Sequence, residues 1–149
     1  MNHFQPRDPG FENRVRDSFA RQALMRTIGA ELTRVEPGLV EIALPYQPDL
    51  TQQHGFLHAG ITSAIADSAG GYAGYSLFPA GSSVLTVEFK INLLAAAAGE
   101  RFLALGEVVR PGRTLTICKL AVTAIKGAQR TLIAVGQQTL ICLEDQPDG

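Results

Sequence analysis

The chain has 149 residues, 46% hydrophobic and 18% charged, with 13 basic and 14 acidic side chains and a formal net charge of −1. That length fits one domain, the hydrophobicity argues against a disordered chain, and the even charge argues against the basic face that nucleic acid requires. No basic leader with an apolar stretch opens the sequence, and the densest apolar run, Leu93 to Ala98, is too short for a bilayer. The expectation is a soluble cytoplasmic α+β domain with no nucleic-acid or membrane partner.

Residues 1–12, with Pro6, Pro9 and Gly10, read as a flexible N-terminal tail, and 13–145 as a single domain. From Glu12 the apolar residues Val15, Phe19, Ala23 and Ile28 recur at near-helical spacing among Arg14, Arg16, Asp17, Arg21 and Arg26. This predicts one short amphipathic helix, closed by Gly29. Two strands follow, about 30–36 and 39–46, joined at Pro37-Gly38, with Val40, Ile42, Leu44 and Tyr46 sharing a parity. Residues 47–57 read as a loop.

The segment from His58 to Leu77 predicts a second, different helix. Between Ala59 and Ser76, 13 of 18 residues are Ala, Gly, Ser or Thr, and four of them are glycines. Each glycine costs about 1 kcal/mol of helix propensity relative to alanine. Close approach by other backbone compensates for that cost, so this is the buried central helix. Past Pro79 and Gly81 the period becomes two: Leu85, Val87, Phe89, Ile91 and Leu93 alternate with Thr86, Glu88, Lys90 and Asn92. Strands at about 100–110, 113–126 and 129–143 complete an antiparallel meander of four strands. Such a meander beside one long helix suggests a sheet curled around that helix.

Asp67 stands about two and a half turns inside the central helix, too deep to cap it. Its helical neighbours are Gly60, Ser63, Ala64, Gly70, Gly71 and Gly74, all small and none cationic. A carboxylate in such a groove is a candidate base or nucleophile, or else a groove-lining side chain bonded to nearby backbone. The helix entrance, His54-Gly55-Phe56-Leu57-His58-Ala59-Gly60, offers unpartnered N–H groups and small side chains. It reads as an oxyanion hole or anion site, or as an ordinary glycine-rich start. Ala59 and Asp67 are separated by about 12 Å of helix axis. If both act on one substrate, the second comes from a partner chain in a two-fold dimer. The cysteines, Cys118 and Cys142, form neither a disulfide framework nor a metal pair, and read as packed strand residues.

The run Gln52-Gln53-His54-Gly55-Phe56-Leu57-His58-Ala59-Gly60, then Ala66-Asp67-Ser68-Ala69, then Leu85-Thr86-Val87-Glu88-Phe89-Lys90-Ile91-Asn92, resembles the hotdog-fold acyl-CoA thioesterases of the phenylacetate-degradation type. The likeness spans about residues 28–143. It implies a hotdog fold, with an antiparallel sheet wrapped around a long central helix, and homodimers with sites at the interface, commonly dimers of dimers, hence homotetramers. It implies hydrolysis of an acyl-CoA thioester without metal or redox cofactor. By position it places the carbonyl-polarising N–H on Ala59, the carboxylate on Asp67 of the opposite chain, and a nearby polar strand residue on Thr86. Ala59 stands where the family has glycine, so the N–H survives beside a methyl group. Gln52 stands where the family often has asparagine and can still orient water or the carbonyl. His58 shapes the oxyanion loop or is a histidine bonded to backbone; His54, Gly55 and Gly60 are structural or close to substrate. Arg110, Arg113 and Thr114 fall where relatives meet the CoA nucleotide, which guanidinium groups suit, or form a solvated turn. Two alternatives stay open: a hotdog enoyl-thioester hydratase or dehydratase, and a non-catalytic acyl-CoA binding module.

Overall fold

Six antiparallel strands around one buried helix carry the architecture in this computed structural model, which describes residues 4–149. In chain order the elements are α1 (Phe11–Arg21), α2 (Ala23–Ile28), β1 (Glu31–Glu36), β2 (Leu39–Pro45), α3 (Ala59–Tyr75), β3 (Ser83–Leu93), β4 (Arg101–Arg110), β5 (Leu115–Lys126) and β6 (Gln129–Leu143), with a 3-10 turn at Pro48–Leu50. The strands form a single sheet in the order β1-β2-β4-β5-β6-β3, and α3 packs against β2 through β6. This is the α+β hotdog arrangement expected from the sequence.

The small side chains of α3 let the sheet come close. A side chain at Gly106 of β4 would run into the backbone of Ala69 and Gly70, and one at Gly74 would meet Leu140 of β6. Ile65, Ala66, Ala69 and Ala73 are fully buried. The helix gives up propensity and gains burial against the sheet backbone.

The N-terminal segment departs from the expected single helix. Gln22 is extended (ψ 102) and divides it into α1 and α2, and Gly29 closes α2 in the left-handed conformation at φ 72. Of the stretch read as a tail, residues 1–3 lie outside the described residues, Phe4 packs partly buried on the core, and Phe11 opens α1. Arg14, which periodicity puts on the polar face, is half-buried. Its guanidinium donates to the carbonyls of Tyr75 (3.4 Å), Phe78 (2.8 Å) and Pro79 (3.3 Å), pairs with Asp8 at 2.8 Å and lies 4.3 Å from the Tyr75 ring centroid. A cation thus gathers the carbonyls at and just past the C-terminal end of α3, where the helix dipole favours it.

Two expectations for β3 are corrected. Consecutive strands do form the meander β4-β5-β6, but β3 pairs with β6 at the far edge of the sheet rather than with β4. Its alternation is also not continuous. Thr86 pairs with Leu140 and Glu88 with Thr139, so Val87 is an extra residue in a β-bulge. Cross-strand partners share a face. Before the bulge, therefore, Val84 and Thr86 face α3 with Cys142 and Leu140; after it, Phe89, Ile91 and Leu93 do so with Gln138, Gly136 and Ala134. Leu85, Val87, Phe89 and Leu93 are 43–58% exposed on this free edge. Tyr46, assigned to the second strand by parity, lies just beyond its end and is 39% exposed.

Candidate active site

Asp67 projects from the middle of α3 into a half-buried position between the helix and the β3–β6 edge. Helical residues supply it no partner, but the sheet does. Thr86 Oγ1 donates to Asp67 Oδ1 at 2.7 Å, and Gln138 Nε2 donates to the same oxygen at 2.5 Å. Gln138 Nε2 also lies 3.0 Å from the Asp67 carbonyl and 3.0 Å from Thr86 Oγ1. Among the described residues no hydrogen bond reaches Asp67 Oδ2. The carboxylate opens onto a depression of about 310 Å³ lined by Ser18, Gln22, Ser68, Tyr72, Leu85 and Asp148, among others. Asp148 is held there by Arg21 at 3.0 Å. Burial pushes the Tyr72 phenol above its usual range, so it stays protonated, sharing a 3.2 Å hydrogen bond with Ser18.

Thr86 beside Asp67 matches the expectation from the family resemblance, whereas Gln138 is a partner that the sequence did not single out. A signal was present: Ala134, Gly136, Gln138, Leu140 and Cys142 share a parity in β6, and Gln138 is the long polar side chain among small or apolar ones. Gln138 is 1% exposed.

The helix entrance is built by hydrogen bonds within its own loop. Gln52 N–H donates to Phe56 O (2.9 Å) and Gly55 N–H to Gln52 O (3.0 Å), a tight turn that Gly55 permits at φ 79. Gln52 Oε1 accepts from His54 N–H at 2.5 Å. Leu57 N–H reaches Ala97 O, beyond β3, and His58 N–H reaches Leu50 O at the end of the 3-10 turn, each at 3.0 Å. His58 is the N-cap: its Nδ1 accepts from Gly60 N–H at 2.8 Å, so a neutral ring carries its proton on Nε2. The Gly60 N–H is therefore occupied, whereas the Ala59 N–H has no hydrogen-bond partner among the described residues. Ala59 and Gln52 line one depression of about 170 Å³ with Phe56, Thr62, Leu93 and Ile133. His54 and Gly55 are exposed on the loop outside it.

Two groups of site residues thus come together in one chain, Ala59 with Gln52 and Asp67 with Thr86, but in separate depressions. Arg110, Arg113 and Thr114 join neither. They are exposed at the β4–β5 turn, and Arg113 lies beside Leu77 and Phe78, past the opposite end of α3 from Ala59. Both cysteines are buried strand residues, and desolvation pushes the Cys118 thiol up to about 12.

A long helix wrapped by a single antiparallel sheet is the hotdog arrangement, here with an N–H that has no hydrogen-bond partner among the described residues at the helix entrance and a hydrogen-bonded carboxylate at its middle. The chain matches the Thioesterase superfamily model over residues 54–130 and belongs to that family. A structure of a thioesterase family protein from Silicibacter pomeroyi is 51% identical, covers 91% of this chain and 99% of its own, and superposes with a TM-score of 0.89. The 1,4-dihydroxy-2-naphthoyl-CoA hydrolase of Listeria monocytogenes is 25% identical over 67% of this chain and 81% of its own length. The PaaI protein of the phenylacetic acid degradation operon of E. coli shares the fold at 17% identity, with 88% and 91% of the two chains covered and a TM-score of 0.79.

Proposed function

We propose that the protein hydrolyses an aryl- or fatty-acyl-CoA thioester to the free acid and CoA, in a site shared by two subunits. The observation that carries this reading is the division of the machinery. The free Ala59 N–H and the free Oδ2 of Asp67 belong to one helix but open into different depressions. Eight residues of helix hold them about 12 Å apart, too far for one thioester carbonyl. In a two-fold dimer the Ala59 N–H of one subunit polarises the carbonyl, and Asp67 of the other activates water or attacks the carbon. One such backbone donor is worth about 3 kcal/mol at the transition state.

The exposed apolar edge of β3 supports the dimer, since a free strand edge bearing Leu85, Val87, Phe89 and Leu93 calls for a cover. A second copy of this chain is the cover assigned here, with dimers pairing into tetramers. Arg110, Arg113 and Thr114 are free to meet the CoA phosphates, and no step is asked of a metal or cofactor.

The test uses two variants. Asp67→Asn should lose roughly 10²- to 10⁴-fold in thiol release from acyl-CoA while remaining folded and oligomeric. Ala59→Pro removes the N–H at the first helical position, where proline is accommodated, and His58 before it is already extended at ψ 136. Mixed subunits of the two silent variants should regain turnover. Wild-type rates in Asp67→Asn, or silence after proven subunit exchange between folded variants, would overturn the reading.

A further inference from the structure

A buried amide sits behind the carboxylate at a place where packing alone would favour an apolar side chain. Gln138 is 1% exposed, on the face of β6 where Leu140 and Cys142 pack against the helix. Burying an amide is costly unless both ends are bonded. Gln138 is bonded at one end only: Nε2 serves Asp67 and Thr86, and Oε1 has no hydrogen-bond partner among the described residues. The reverse orientation would set the amide oxygen against the negative Oδ1. The carboxylate therefore dictates how the amide lies. Gly70, one turn beyond Asp67, makes room for it, because a side chain there would collide with Gln138 Oε1 and with Leu120.

Both donors converge on Oδ1, and together they fix the rotation of the carboxylate. We infer that Gln138 is a positioning residue that, with Thr86, ties down Oδ1 of Asp67 and leaves Oδ2 as the oxygen presented to the thioester or to its attacking water. This rests on the reading of Asp67 as the acting carboxylate. Gln138 does not touch substrate and acts through Asp67. The groups that line the depression with this carboxylate include Thr86 of β3, Ser18 of α1, Gln22 between α1 and α2, Ser68 and the protonated Tyr72 of α3 and, as the charged pair, Asp148 with Arg21.

The experiment measures thiol release from acetyl-, hexanoyl-, benzoyl- and phenylacetyl-CoA by the purified oligomer, then follows the fastest of these substrates in three variants. Gln138→Met keeps the volume and removes the donor. It should lower kcat roughly ten- to a hundredfold, the value of a hydrogen bond to a charged group, with KM within about twofold. Gln138→Glu adds a readout that a packing role would not move. Protonated, the new carboxyl can donate to Oδ1; ionised, it repels it. The ratio of variant to wild-type kcat should therefore fall as pH rises through the carboxyl range. If Gln138→Met does not fold, Gln138→Glu still decides by its pH profile. Wild-type kcat in Gln138→Met, or a pH-independent ratio in Gln138→Glu, overturns the inference while a silent Asp67→Asn leaves the reading of Asp67 standing. An active Asp67→Asn, or no thiol from any of the four esters, overturns both.

Discussion

Thr86 Oγ1 donates a 2.7 Å hydrogen bond to Asp67 Oδ1 across 19 residues of sequence, from the edge of the sheet to the middle of the buried helix. The β-bulge at Val87 makes this compatible with the rest of the strand. Under an unbroken alternation, Thr86 would face away from the side that Phe89, Ile91 and Leu93 share.

Thr86→Val keeps the shape of the side chain and removes its donor. Turnover of an acyl-CoA should fall about tenfold, with KM nearly unchanged, as expected for loss of one hydrogen bond to a charged group. Thiol-release kinetics on the folded oligomer check this, and an unchanged kcat would separate Thr86 from the chemistry.

The β3 edge should be where subunits meet. Leu85 and Val87 are 58% and 57% exposed. Replacing both with lysine sets like charges against each other across a two-fold axis. Sedimentation should then find monomers, and turnover should vanish although each chain retains Ala59 and Asp67. An intact oligomer at wild-type rate would place the contact elsewhere.

Arg14 should matter to stability rather than to catalysis. It joins Asp8 to three carbonyls at the end of α3, and the side chains of the pair are only 16% and 14% exposed. Arg14→Met leaves Asp8 Oδ2 and the Phe78 carbonyl without their partner at a cost of about 2–3 kcal/mol, less than a fully buried pair. The midpoint of thermal unfolding should drop by roughly 5–10 °C for a domain of this size. Calorimetry measures it, and an unshifted midpoint would show that water replaces the guanidinium.

Cys118 should be silent toward thiol reagents in the native protein. Burial pushes its thiol up to about 12, so at pH 8 only about one molecule in 10⁴ carries the reactive thiolate. Titration with an aromatic disulfide at pH 8 should leave Cys118 unmodified until denaturant is added. Rapid labelling of the folded chain at Cys118 would mean that β5 opens readily.

Much of the fold could be read from local pattern. The helix of small residues from Ala59 onward, the period-two runs and the turns at Pro37-Gly38 and Pro111-Gly112 are consequences of neighbours in sequence, and they sit within a residue or two of their observed positions. Asp67 stood out for the same reason: a lone carboxylate deep in a small-residue helix has no local explanation. Strand order was not legible, because an edge strand and a central strand can carry the same alternation and differ only in what lies beside them. Hence β3 was expected beside β4 and lies beside β6. The role of Arg14 was hidden likewise, since the carbonyls it binds lie 61 to 65 residues away.

The residues themselves determined the helix, its carboxylate and its unpartnered entrance, because spacing and side-chain size act over a few residues. Only tertiary structure decided which oxygen of Asp67 stays free. That choice depends on a bulge at Val87, an amide at Gln138 and space at Gly70, each meaningful only once β3 and β6 lie side by side against the helix.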